Sequence, residues 1–160
     1  MTEPATEPQL RRATDGDVQA ITELVVAAYR DYEPLIGRTP LPMLIHYEEA
    51  VRDHEVWVLE LDGALVGVIE LDVHPDHLWV ENVAVAPRWQ GRGLGRRLLL
   101  HAEAEARRRG LDRLDLLTNE RYLDNIAMYT RYGYVETHRV PHQGTDLVFF
   151  SKRLAPAPAS

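Results

Sequence analysis

The residues best suited to chemistry gather in one stretch, Val83-Ala84-Val85-Ala86-Pro87-Arg88-Trp89-Gln90-Gly91-Arg92-Gly93-Leu94-Gly95. Leu78 to Val85 is an apolar, branched run with strand character. Past Gly93, the residues Leu94, Leu98, Ala102 and Ala106 recur at helix spacing. A glycine-dense turn joins the two. The first turn of a helix has unpaired backbone N–H groups and a positive dipole end. Glycines remove the side chains that would keep an anion away. The stretch predicts a cradle for a phosphate or pyrophosphate.

Two familiar phosphate loops do not fit. A Walker loop needs a lysine, and none is present here. A dinucleotide fingerprint needs Gly-x-Gly-x-x-Gly, whereas these glycines fall at Gly91, Gly93 and Gly95. Gln90-Gly91-Arg92-Gly93-Leu94-Gly95, preceded by Val-Ala-Val-x-Pro, has the form Gln/Arg-x-x-Gly-x-Gly/Ala. It resembles the acyl-coenzyme A signature of the GNAT superfamily of N-acetyltransferases. A second stretch adds to the resemblance. Asn125-Ile126-Ala127-Met128-Tyr129-Thr130-Arg131-Tyr132-Gly133-Tyr134 is similar to that superfamily's closing helix, with Tyr129 at the tyrosine position. The commonest form has its asparagine seven residues before the tyrosine, where this chain has Tyr122. Asn125 lies four before it, which still puts both on one helix face.

The resemblance implies an α/β (α+β) domain whose mixed, mostly antiparallel sheet is split at two parallel strands and flanked by helices. Acetyl-coenzyme A would lie in that split. Backbone groups of Val83 and Val85, with Ala84 between them, would meet the pantetheine arm. N–H groups across Gly91, Arg92, Gly93, Leu94, Gly95 and Arg96 would hold the pyrophosphate. Gln90 would shape the loop, Arg92 or Arg96 would meet the adenine-end phosphates, and Asn125 and Tyr129 would also face the cofactor. No metal is implied.

Acetyl transfer to an amine requires the amine to lose a proton and the leaving sulfur to gain one. Tyr129 suits the acid role toward the sulfur. Glu81 is the first choice for the base, because a carboxylate inside an apolar strand is costly unless paired or functional. Alternation places it on the face of Val83 and Val85, and Asn82 on the other. Partial burial there would make it a stronger base. Glu70 is a second acceptor-side candidate. Tyr32, Glu33, His46 and Tyr47 lie in the segment that varies in the superfamily and walls the acceptor pocket. His74 and His77 lack a third metal ligand at a recognisable spacing. The expected activity is acetyl-coenzyme A-dependent N-acetylation of a primary amine by direct transfer in a ternary complex. The acceptor is a small molecule or a peptide. The alternative is a coenzyme A-binding regulatory or interaction domain without catalysis.

The elements that must position these residues follow in order. Gln9 to Ala13 reads as a strand, and a helix with Val18, Ile21, Leu24, Val25 and Ala28 on one stripe runs to Tyr29 or Tyr32. A second helix is expected over Leu41 to Arg52. Strands over Glu55–Leu61 and Ala64–Val73 are joined by Asp62-Gly63, a strong hairpin signal. The post-glycine helix ends near Arg109, where Glu103 with Arg107 and Glu105 with Arg109 are spaced as surface pairs. A strand from Arg113, a helix from Tyr122 to Tyr132, and two strands around a Pro141-to-Gly144 turn complete the chain.

Composition narrows the classes. At 160 residues one domain is expected, over 9–154, with loose tails at 1–8 and 155–160. The absence of cysteine excludes disulfides and a cysteinyl acyl intermediate. A net charge of -7 argues against nonspecific nucleic-acid binding and a basic membrane-surface helix. No apolar run is long enough to span a membrane, and the first residues do not read as a signal peptide. A cytoplasmic protein is the default expectation, and the resemblance adds a homodimer.

Overall fold

The computed structural model describes residues 7–156. Most of both expected tails lies outside them. Seven strands form one sheet in the order β1-β2-β3-β4-β5-β7-β6. They are β1 (Gln9–Arg12), β2 (Glu55–Leu61), β3 (Ala64–Val73), β4 (Leu78–Val85), β5 (Arg113–Asn119), β6 (Val135–His142) and β7 (Thr145–Arg153). Only β4 and β5 run parallel. The expected mixed, mostly antiparallel sheet with one central parallel pair is what forms.

Two helical layers cover the sheet. The α4 helix (Leu94–Arg108) lies on one face, where its apolar stripe packs Leu98, Ala102 and Ala106 against Leu71, Leu78 and Leu114. The α5 helix (Leu123–Arg131) lies beside it. On the opposite face, α1 (Val18–Tyr29) and α3 (Tyr47–Asp53) pack Ile21, Val25 and Ala50 against Val56, Val58 and Val68.

Three local expectations change in the fold. The helix expected over Leu41–Arg52 is interrupted. A 3-10 turn covers Leu41–Leu44, and α3 starts only at Tyr47, because Ile45 and His46 are extended. Leu44 is consequently exposed, whereas Tyr47 is buried. Pro141 lies inside β6, tolerated because β6 is an edge strand that can do without one N–H. The expected Glu105–Arg109 pair forms, whereas Glu103 finds its partner beyond the helix. Glu103 is buried and pairs with Lys152 of β7 at 3.0 Å, and Glu105 is held by Arg108 and Arg109 while Arg109 also reaches Glu55.

Leu98 has no exposed surface and sits at the middle of the α4 face. Leu98→Ala should lower the free energy of unfolding by about 2–5 kcal/mol. Urea denaturation followed by circular dichroism measures the loss.

Candidate active site

The site begins where β4 and β5 separate. Their parallel register runs from Leu78↔Leu114 to Val80↔Leu116 and stops. Beyond it, Ala86 N–H donates to the Val66 carbonyl of β3 at 2.9 Å. By strand alternation the backbone groups of Ala84 and Asn82 also face β3, and those of Val83 and Val85 face the opening. Side chains reach those carbonyls from outside the sheet. The Tyr29 hydroxyl donates to Val83 O at 3.1 Å, and Gln90 Nε2 donates to Val85 O at 3.0 Å. The N–H groups of Val83 and Val85 face the opening as donors.

A β-bulge sits where the strands part. Asn82 pairs with Glu70 and Val80 with Leu71, which leaves Glu81 without a partner on β3. The extra residue resets the alternation. Val80 and Val83 consequently share the α4 face, while Asn82 and Ala84 point toward α1 and α3. Glu81 therefore does not share the face of Val83 and Val85, and Asn82 does not point away from the site. Glu81 is also exposed, so the desolvation expected of a carboxylate in an apolar strand is absent. Its carboxylate accepts a hydrogen bond from Trp79 Nε1 at 2.7 Å.

Two cavities meet at the separation. The larger, of about 380 Å³, lies over the glycine loop and the start of α4. Gly91 and Gly93 take φ of +80° and +82°, which side-chain-bearing residues rarely adopt. Gly95 has a different reason to be glycine: a Cβ there would stand 2.8 Å from Met128 Sδ. A helix leaves its first N–H groups without intrahelical acceptors, and here Leu94, Gly95 and Arg96 line the cleft. Donors in a row, at a helix start stripped of side chains, fit a pyrophosphate. Of the residues the sequence assigned to the cofactor, Arg92 and Tyr129 do not line this cleft. Arg92 turns onto the Trp89 ring, 4.7 Å from its centroid. Arg96 does line it, with its guanidinium 6.0 Å from the Tyr132 ring.

The smaller cavity, of about 130 Å³, lies between β4 and the end of β5. Tyr29, Val83 and Asn125 line both cavities and so mark their junction. Tyr129 lines the smaller one, and its hydroxyl has no hydrogen-bond partner among the described residues. Burial holds that phenol well above the usual tyrosine range, so it stays protonated. The single Tyr29 hydroxyl hydrogen is shared between Val83 O and Asn82 Oδ1, each at 3.1 Å, and Asn82 donates to the Tyr47 hydroxyl at 2.8 Å. Both tyrosines are raised chiefly by burial and serve as neutral, hydrogen-bonded walls.

The other residues that the sequence singled out are scattered around this centre. Tyr32 stacks on Tyr122 with centroids 4.2 Å apart and lines the larger cleft, not the acceptor side. Glu70 lines neither cavity: it is buried with one oxygen 2.6 Å from His54 Nδ1. Burial raises its carboxyl and the His54 contact opposes the rise. Glu33 and His46 are exposed and line neither cavity. His74 and His77 stack on each other and meet Asp72 and Asp76. Reading the sequence missed Tyr29 and Arg38. Tyr29 continues an apolar helix stripe, and Arg38 follows a glycine in an irregular segment, so neither carries a motif.

A sheet opened at its one parallel pair, with a glycine-lined helix start at the opening, defines an acyl-coenzyme A-dependent transferase. Comparison with known proteins agrees. Residues 18–134 match the model of the acetyltransferase (GNAT) family. The chain is 30% identical over 142 residues to aminoalkylphosphonate N-acetyltransferase of Salmonella typhimurium, covering 81% of this chain and 86% of that relative. The fold is shared with the PaiA N-acetyltransferase of Thermoplasma acidophilum in complex with coenzyme A, at 15% identity and a TM-score of 0.77, covering 92% of this chain and 99% of that one. It is also shared with ribosomal-protein-S18-alanine N-acetyltransferase of Escherichia coli, at 21% identity and a TM-score of 0.76, over 94% and 96% of the two chains. The chain belongs to the GNAT acetyltransferase family, and acetyl-coenzyme A is its cosubstrate. No helix among the described residues is long and apolar enough to cross a membrane.

Gly95→Ala should raise the Kd for coenzyme A roughly tenfold, the scale of a single lost contact, because the new methyl drives Met128 into the cleft. Adding Met128→Ala should recover most of that loss. Calorimetric titration of both variants provides the check.

Proposed function

We propose that this enzyme acetylates a primary amine by direct transfer, with cosubstrate and acceptor bound together. The observation that carries the reading is the pair of cavities meeting at Tyr29, Val83 and Asn125. Each substrate has its own cavity, and the reacting ends can meet at one point without an acyl-enzyme.

Acetyl-coenzyme A supplies an acetyl group activated as a thioester. Val83 and Val85 hold its arm through their N–H groups, and the loop from Gln90 to Arg96 holds its pyrophosphate. Asn125 orients the arm at the junction. The amine nitrogen forms a bond to the acetyl carbon as the carbon–sulfur bond breaks. The amine's proton passes to the Glu81 carboxylate, directly or through water, since Glu81 lines the acceptor cavity and is open to solvent. The Tyr129 hydroxyl offers its proton to the sulfur as negative charge develops there. Burial keeps the phenol protonated, and donors aimed at developing charge are the effective ones.

Family membership leaves the acceptor open, because similar proteins are named for acceptors as different as an aminoalkylphosphonate and a ribosomal-protein alanine. The dimer implied by the resemblance and a cytoplasmic location stay within this proposal.

Tyr129→Phe should lower turnover roughly 100-fold or more, the scale of general acid catalysis, while the Kd for acetyl-coenzyme A changes little. Equal losses in binding and turnover would remove its role as acid. Glu81→Gln should make the rate climb with pH across the range where the free amine deprotonates, because bulk solvent must then take the proton. A pH–rate profile identical to that of the unaltered enzyme would exclude Glu81 as base.

A further inference from the structure

The geometry points to an acceptor that carries an anionic group close to its amine, with Arg38 as the residue that recognises the anion. The inference rests on the proposed acetyl transfer and names the substrate class of the same site. Its carrier is a lone cation in the acceptor cavity. Arg38 follows Gly37, which ends the short α2 helix (Glu33–Ile36) in the left-handed conformation and turns the chain back over the sheet. Arg38 is half-buried and lines the smaller cavity. Of the other half-buried arginines, Arg11 meets Asp17, Arg109 meets Glu105, Arg113 meets Asp115, and Arg97 donates to the Pro8 carbonyl. Arg38 meets no carboxylate among the described residues. Its only polar contacts there are long ones, at 3.4 and 3.5 Å, to the Thr145 hydroxyl. That hydroxyl is already engaged by the buried Asn119 amide at 2.7 Å.

A half-buried guanidinium without a counter-charge is an unfilled anion site, since five N–H donors in a planar fork match a carboxylate or phosphonate. Glu81 is the other charged group lining the cavity, and it comes from the β4 bulge, whereas Arg38 rests on β7 beside the end of β5. One negative and one positive charge, set on different strands, suit the ammonium and the oxyanion of one short zwitterion. The remaining wall is largely apolar, with Leu41, Pro42, Ile45 and Leu147, and its volume of about 130 Å³ suits a molecule of few heavy atoms. Burial pushes the Tyr122 phenol up to about 12 and Arg38 opposes the rise, so the cation stands near a neutral hydroxyl that can share the anion.

The test compares β-alanine, aminomethylphosphonate and propylamine as acceptors, with kcat/KM measured for each by thiol release. Calorimetric titration of the same three compounds into the protein saturated with coenzyme A gives a readout that does not require turnover. The unaltered enzyme should prefer at least one of the two anionic amines over propylamine. Which of the two leads shows whether the anion is a carboxylate or a phosphonate. Arg38→Ala should reduce the anionic-to-neutral ratio roughly 10- to 100-fold, the scale of a charged hydrogen bond, and Arg38→Lys should restore part of it. Propylamine preferred or equal, or a ratio unmoved by Arg38→Ala, overturns the inference and leaves acetyl transfer standing. Selective binding of an anionic amine that is lost in Arg38→Ala, with no thiol release from any compound, upholds Arg38 as the anion site and overturns the transfer reaction.

Discussion

Two parallel strands that stop bonding to each other set the terms for the rest of this molecule. Beyond Val80 and Leu116 the sheet has no ladder between β4 and β5. Unpaired backbone groups in an interior cost roughly 1–3 kcal/mol each, so an opening of this kind survives only where other groups satisfy it. Tyr29 from α1 and Gln90 from the glycine loop do so for the carbonyls of Val83 and Val85. The N–H groups of those residues face a cleft wide enough for a ligand. The bulge at Glu81 is the local device, because one extra residue bends β4 just where pairing ends. β5 keeps an unbroken ladder with β7, and β3 resumes pairing with β4 on both sides of the bulge, which confines the disruption to the site.

Around that opening the polar groups divide by task. Tyr29, Tyr47 and Asn82 are linked in the interior, with the Val83 and Pro42 carbonyls as further acceptors, and form one wall. A satisfied polar network of this type favours one arrangement of its members. Tyr129 is buried to a similar degree but has no partner among the described residues, and its hydroxyl is left for whatever enters the smaller cavity. Arg38 and Glu81 are the charged residues that line the same cavity, whereas the buried Glu103 is spent in an ion pair with Lys152. The larger cleft depends instead on missing atoms. Gly95 and Met128 leave no room for one additional carbon.

Legibility in the sequence tracked the range of the interactions involved. The loop from Gln90 to Gly95 was readable because strand, turn and helix follow one another within a single short stretch. The alternation and helix periods that reveal those elements are local properties. The same is true of the Asp62-Gly63 hairpin, where both residues take positive φ. The helix expected over Leu41 to Arg52 is broken at Ile45 and His46, which are extended, and Ile45 lines the acceptor cavity; the helix period alone does not show the break.

The chain's own order of residues determined the family, the mixed sheet, the glycine cradle and the identity of its cosubstrate, because each is written in contiguous residues with a fixed period. Tertiary structure alone decided which side chains share the reaction centre. Alternation assigned Glu81 to the face of Val83, and a single bulge undid that assignment. Arg92 and Arg96 are indistinguishable on a helix start until Trp89 captures one of them. Tyr29 lies 54 residues before Val83 and Arg38 107 before Thr145, so only the folded sheet brings them to the site. Strand and helix periods are enforced by the backbone, whereas the meeting of distant side chains is enforced by packing, which no window of sequence contains.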